Sequence, residues 1–159
     1  MPPWLTTEKR QLTHHILQSH LSTFGHPLFK CNCGNDNYQL QSQELFTMNM
    51  PLMAHNIDRD PRLIYANAAA LTLWCRQWKD MVGMPSRLTA PESETQTRKL
   101  ALEQSLHKNA SKNYYGIRID SRGTKFTINN ARIWTVWDNE INLLGQAATF
   151  NDWSYLYKQ

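Results

Sequence analysis

The chain has 159 residues, room for one domain with its own core, and 19% of them are charged, for a formal net charge of +4 at pH 7. The basic residues are scattered without a run of five or six, and no apolar stretch approaches the roughly 18 residues of a membrane span, so nucleic-acid binding and membrane insertion are not expected. Lys9, Arg10, His14 and His15 interrupt any apolar segment that a secretory signal would need, and three cysteines fit a reduced compartment better than a disulfide framework; the expected location is cytoplasmic.

Thr6 to Phe24 reads as an amphipathic helix. Thr6 or Thr7 can cap it, Glu8 suits its first turn, and Leu12, Ile16, Leu17, Leu21 and Phe24 recur at three- and four-residue spacing before Gly25 and Pro27 stop it. That stripe can cover the chain's own sheet or pair with a second copy, so a homodimer through this helix is a candidate partnership. The histidines at 14, 15 and 20 are better read as polar residues beside the stripe than as ligands.

His26 to Asn49 is the least regular stretch. Cys31 and Cys33, with His26 nearby, supply three soft donors of the type zinc or copper takes, but the cysteine spacing is tighter than structural zinc sites use and no fourth ligand is evident. A surface loop with incidental thiols is the preferred reading. Tyr38 to Met48 follows as a short helix. Residues 1–49 thus form a helix and connector ahead of a main unit over 50–159.

Pro51 to Asn56 and Leu63 to Asn67 read as strands paired through the turn Asp58-Arg59-Asp60-Pro61. Asn67 then stands at the cap position of a helix over Ala68–Trp74. A short helical turn over Trp78–Val82 and a proline-bounded connection, Met84 to Pro91, lead to the longest helical run, Glu92 to Asn109. His107 on that helix is read as an edge residue, not a haem ligand.

Three antiparallel strands end the chain: Tyr114–Ile119, Lys125–Trp137 and a last one closing in Gly145–Phe150. The long strand changes phase, with Phe126 and Ile128 even, Ala131 and Ile133 odd, Trp134 and Val136 even again. Either a bulge near Asn129-Asn130 or a cover on both faces reconciles the pattern. The fold class is therefore α+β, a five-stranded antiparallel sheet covered by short helices.

That order of elements resembles PAS domains, in which helices between strands two and three close over a ligand cavity. A narrower resemblance rests on Tyr65-Ala66-Asn67-x-Ala69-Ala70-Leu71, Pro85-Ser86-Arg87-Leu88, Tyr115-Gly116-Ile117-Arg118-Ile119, Trp134 and Gly145-Gln146-Ala147-Ala148-x-Phe150. From about Met50 to Trp153 these blocks resemble the MEKHLA domain family, in its bacterial and cyanobacterial single-domain form. Ala54-His55-Asn56 departs from the Ser-His-Gly usual there. The resemblance implies a PAS-like sensory or regulatory domain without catalysis, acting through a small ligand or a partner protein, and it names no ligand.

Asn67, Trp74, Cys75, Arg87, Arg118, Asn130, Trp134 and Gln146 are the candidate ligand-binding residues; each also has a structural role open to it, as cap, core filler or ion-pair partner. A small, partly apolar ligand between Trp74, Arg87 and Gln146 is the working expectation. The lesser reading is a flavin, because Val82 to Leu88 falls where flavin-binding PAS domains carry their cysteine motif and Gln146 falls near their last-strand glutamine. Ser86 replaces that cysteine, so adduct photochemistry is not expected. No Ser-His-Asp arrangement, phosphate loop or carboxylate pair suggests an enzyme.

Overall fold

The computed structural model describes residues 1–30 and 37–156. Helix α1 (Thr7–Phe24) starts where the Thr6 hydroxyl accepts the Lys9 N–H and ends at Gly25, whose φ of 80° places it in the left-handed region. Helix α2 (Tyr38–Thr47) is capped by the Asn37 side chain. Strands β1 (Leu52–His55) and β2 (Leu63–Ala66) form the expected hairpin. Helices α3 (Ala68–Trp74) and α4 (Trp78–Met81) follow. Two short 3₁₀ turns, Ser86–Thr89 and Glu92–Glu94, precede α5 (Thr95–Lys108), so the run expected as one helix from Glu92 begins with a tighter turn.

Strands β3 (Ala110–Ile119), β4 (Lys125–Trp137), β5 (Leu143–Thr149) and β6 (Asp152–Tyr155) complete the sheet in the order β2-β1-β5-β4-β3. The sheet has six strands, one more than expected. Beyond Phe150 the chain pairs again with the start of β4, and Arg132↔Thr149 and Asn129↔Asp152 belong to one continuous register. The extra strand is a continuation of the fifth across a two-residue break.

The phase change in β4 has a clear origin. Between Ser111 and Tyr114 β3 carries one extra residue, and between Ile128 and Ala131 β4 carries one, so the two bulges cancel and pairing resumes unshifted. Asn113 and Asn130, with φ of 59° and 54°, occupy these positions, and asparagine tolerates the left-handed region better than most residues. Phe126, Ile128, Ala131 and Ile133 thereby turn to the inner face, the first three inside a core with Trp74, Met81 and Phe150. Trp134 and Val136 turn outward, into a second core with Ile16, Leu45 and Tyr65. Bulge and double cover both operate.

Helix α1 supplies that outer cover. The Trp134 indole N–H donates to the Ile16 carbonyl at 3.1 Å, and the Ser19 hydroxyl accepts the Trp137 N–H at 3.0 Å. Its buried positions, Thr13, His14, Ile16, Ser19 and His20, are more polar than the leucine stripe suggested, and Leu21 is 40% exposed. The reason is that the sheet beneath presents polar groups. His20 accepts from Arg132 Nη1 at 2.9 Å and donates from Nδ1 to the His26 carbonyl at 3.1 Å. Burial, and then the neighbouring Arg132, push the His20 pKa down to about 4.

Candidate functional site

The inner face is not filled. Residues pointing inward from β1, β3, β4 and β5, closed over by α5, surround a cavity of about 50 Å³. At roughly 10–15 Å³ per water, that is room for about four waters. Its walls are mostly apolar, with Met53, Leu63, Leu102, Ile128, Ala131, Ile133 and Phe150 contributing.

Six polar side chains break that lining: His55, Thr89, Arg98, Tyr114, Arg118 and Gln146. Alternation along β3 puts Tyr114, Gly116 and Arg118 on one face. Gly116 has no side chain, so Arg118 folds back across it: Nη2 donates to the Tyr114 hydroxyl at 3.2 Å and the guanidinium carbon stands 5.4 Å from that ring. A Cβ on residue 116 would lie 2.7 Å from Arg118 Nη1 and 2.7 Å from the Tyr114 oxygen. Arg118 is only 6% exposed, and its Nη1 donates one N–H to the Ile117 carbonyl at 2.9 Å.

Arg98 reaches in from α5 and donates to the buried Ser86 hydroxyl at 2.9 Å. Burial, and next the like charge of Arg118, push its pKa down to about 10, against weaker pulls from Tyr114 and Asp60. Neither arginine forms an ion pair among the described residues, and no carboxylate lines the cavity. His55, 9% exposed, donates from Nδ1 to the Asn56 carbonyl at 2.9 Å, which leaves the lone pair on a buried Nε2 without a partner. Burial, reinforced by Arg98, pushes its pKa down to about 4 and keeps it neutral. Gln146 donates its amide to the Leu102 carbonyl at 3.1 Å, tying β5 to the backbone of α5.

His55, Arg98, Leu102 and Gln146 also line a groove of about 340 Å³ on the outer side of the same partition. Asp60 and Arg87 stand on that groove, paired at 3.3 Å and each with a side chain 54% exposed.

Of the eight candidate residues, Arg118 and Gln146 border the cavity and Arg87 borders only the groove. The other five lie elsewhere. Asn67 is the helix cap: its oxygen accepts from Ala70 N at 3.1 Å and Leu52 N at 2.9 Å, and its amide donates to the Met50 and Leu45 carbonyls. Trp74 fills the inner core and donates to the Thr89 carbonyl at 3.0 Å. Cys75 ends α3 at a φ of 55°, beside an open surface depression. Asn130 is the exposed bulge residue, and Trp134 is on the opposite face of the sheet.

Arg98, His55, Tyr114 and Thr89 are the inward polar groups that the sequence patterns did not single out. Arg98 lies on a helix with little amphipathic pattern, so its facing direction has no periodic signature. His55 stood in the sequence only inside the Ala54-His55-Asn56 triplet, where it matches the histidine of the family pattern while its two neighbours depart from it. Cys31 and Cys33 fall outside the described residues, and among the described residues no group of three His, Cys, Asp or Glu could hold a metal. His26 uses Nδ1 on the Pro27 carbonyl.

These residues do not fit a flavin. A three-ring system needs far more space than about 50 Å³, and Trp74, Phe126 and Phe150 occupy the interior beside the cavity. Ser86 is spent as the acceptor for Arg98.

No helix among the described residues is long and apolar enough to cross a membrane. In fold the chain is similar to the PAS domain of a Colwellia psychrerythraea protein, with a TM-score of 0.65 at 10% identity over 74% of this chain and 97% of that one. It is also similar to an RNA-binding light-oxygen-voltage receptor, at TM-score 0.67 and 14% identity over 80% of this chain and 36% of that one. The photo-excited blue-light photoreceptor Vivid matches at 0.58 and 12% identity, over 86% and 94%. At such identities the likeness is one of fold. Curated protein sequences yield no match. The family model described as the MEKHLA domain matches residues 10–155, from within α1 to the end of β6, and the chain belongs to the MEKHLA domain family.

Proposed function

We propose that the chain is a non-catalytic sensory or regulatory domain whose signal is occupancy of the inner cavity, passed on through α5. The observation that carries this reading is the Gln146 amide, which borders the cavity and holds the Leu102 carbonyl of α5. A ligand that competes for that amide loosens the helix. Helix α5 is suited to respond. Ser105 is its one buried residue, while Leu100 and Leu106 are 57% and 40% exposed. Few other ties hold it: Arg98 to Ser86, Glu94 just before it, whose carboxylate accepts the Ile117 N–H at 3.0 Å on the edge strand, and Asn109 just after it, whose carbonyl accepts the Thr135 N–H at 3.1 Å. An element with so little buried apolar surface opens at low cost.

The test is a thermal-shift screen of the full chain across fatty acids, short organic acids, flavins, haem and neutral polar compounds, with native mass spectrometry of freshly purified protein. At least one class should raise the melting temperature. The cavity-filling variant Ala131→Leu should stay folded and lose that response. Silence across all classes would contradict the reading and favour a protein–protein module with no ligand.

A further inference from the structure

Arg98 and Arg118 line one small cavity, repel each other, and meet no carboxylate there. The acid whose charge acts on Arg98 is Asp60, which is on the groove and already paired with Arg87. Burying a cation without a counter-charge is costly, and fold stability gains nothing from two in one cavity. His55, on the same lining, is an acceptor. With Nδ1 donating to the Asn56 carbonyl, the neutral His55 ring offers only a lone pair at its buried Nε2. Two fixed cations and one unmet acceptor, in apolar walls with space for about four waters, describe a complementary ligand.

We propose, on the basis of the sensory reading above, that the cavity binds a short hydroxycarboxylate, its carboxylate held by Arg118 and Arg98 and its hydroxyl donated to His55 Nε2. Planar guanidinium groups suit a planar carboxylate, and a two- or three-carbon skeleton matches the volume. The outer groove provides the approach. Arg59, Arg87, Arg98 and Lys99 outnumber Asp60 and Glu103 along it, which draws an anion toward the partition. Binding there places the ligand against the Gln146–Leu102 tie.

Isothermal titration of the full chain with lactate, propionate, lactamide and inorganic phosphate tests this. Lactate should bind tightest, propionate several-fold weaker for want of the hydroxyl, and lactamide and phosphate at least tenfold weaker. Arg118→Gln and Arg98→Gln should each weaken lactate at least tenfold. Gly116→Ala, which keeps the guanidinium but displaces it, should weaken lactate without abolishing the folded state seen by circular dichroism. Lactamide binding as well as lactate, propionate matching lactate, or unchanged lactate affinity in both arginine variants would overturn the assignment. If neutral compounds alone bind, the anion assignment falls while the sensory reading stands; if no compound of any class binds, the sensory reading falls with it.

Discussion

On the outer face of the sheet, Trp134 lies fully buried beneath α1 and gives its indole N–H to the Ile16 carbonyl. One residue earlier in the same strand, Ile133 faces inward and borders a cavity shared by two arginines. The outer face also buries poorly satisfied polar atoms, the neutral hydroxyls of Thr13, Ser42 and Tyr65 and the Nε of Arg10 on α1. Arg132 on that face ends on the neutral His20 ring. The inner face instead concentrates charge and leaves an imidazole nitrogen unmet. Packing like that of the outer face serves stability, whereas an open, uncompensated interior costs stability and suits binding.

The largest expected effect lies on the outer face. Trp134→Ala should cost about 3–5 kcal/mol in chemical denaturation, from lost burial plus a cavity under α1. A loss under about 1 kcal/mol would erase the contrast between the faces. Next in size is a pH effect. His55 and His20 are pushed down to about 4 in the folded chain, so above their unfolded value near 6.5 both states are neutral and stability is full. As pH falls from about 6.5 toward 4 the unfolded chain takes up protons first, and stability is lost across that window. His55 alone accounts for about 3 kcal/mol, which a His55→Gln variant should not lose on acidification.

A smaller loss tests the corner that positions His55 and Gln146. A side chain on Gly145 would sit on the His55 carbonyl oxygen, a backbone atom that cannot step aside, so Gly145→Ala should cost about 2 kcal/mol by forcing β1 and β5 apart. An unchanged denaturation midpoint would show that the crossing relaxes freely. The smallest effect is the most telling. Arg118→Met should be neutral to stabilising, within about 1 kcal/mol, because it removes a buried charge that no carboxylate compensates. A large loss would make Arg118 a structural residue.

Much of the architecture was legible in the residue pattern. Asn67 marked a helix cap, the Asp58–Pro61 turn marked a hairpin, and the broken alternation in β4 marked a bulge at Asn130, because each feature is set by neighbours close in the chain. The candidate site was legible only in part. Arg118 and Gln146 sit on regular strands whose alternation decides their face. Which arginine approaches them depends on how α5 docks, and there Arg98 occupies the interior while Arg87 pairs with Asp60 outside. Trp134 carried no local sign of its face, since one bulge residue reverses it. Nor could β6 be seen, as all four of its residues are exposed and only its register with β4 makes it a strand.

Amide shift mapping by two-dimensional NMR, with lactate added to the ¹⁵N-labelled chain, tests most directly whether the inner face is the responsive one. The account predicts shifts at Ile117, Arg118, Gln146 and along Thr95–Lys108, with Thr13 to Phe24 unmoved. Shifts confined to α1 would contradict it, and so would a spectrum that does not change.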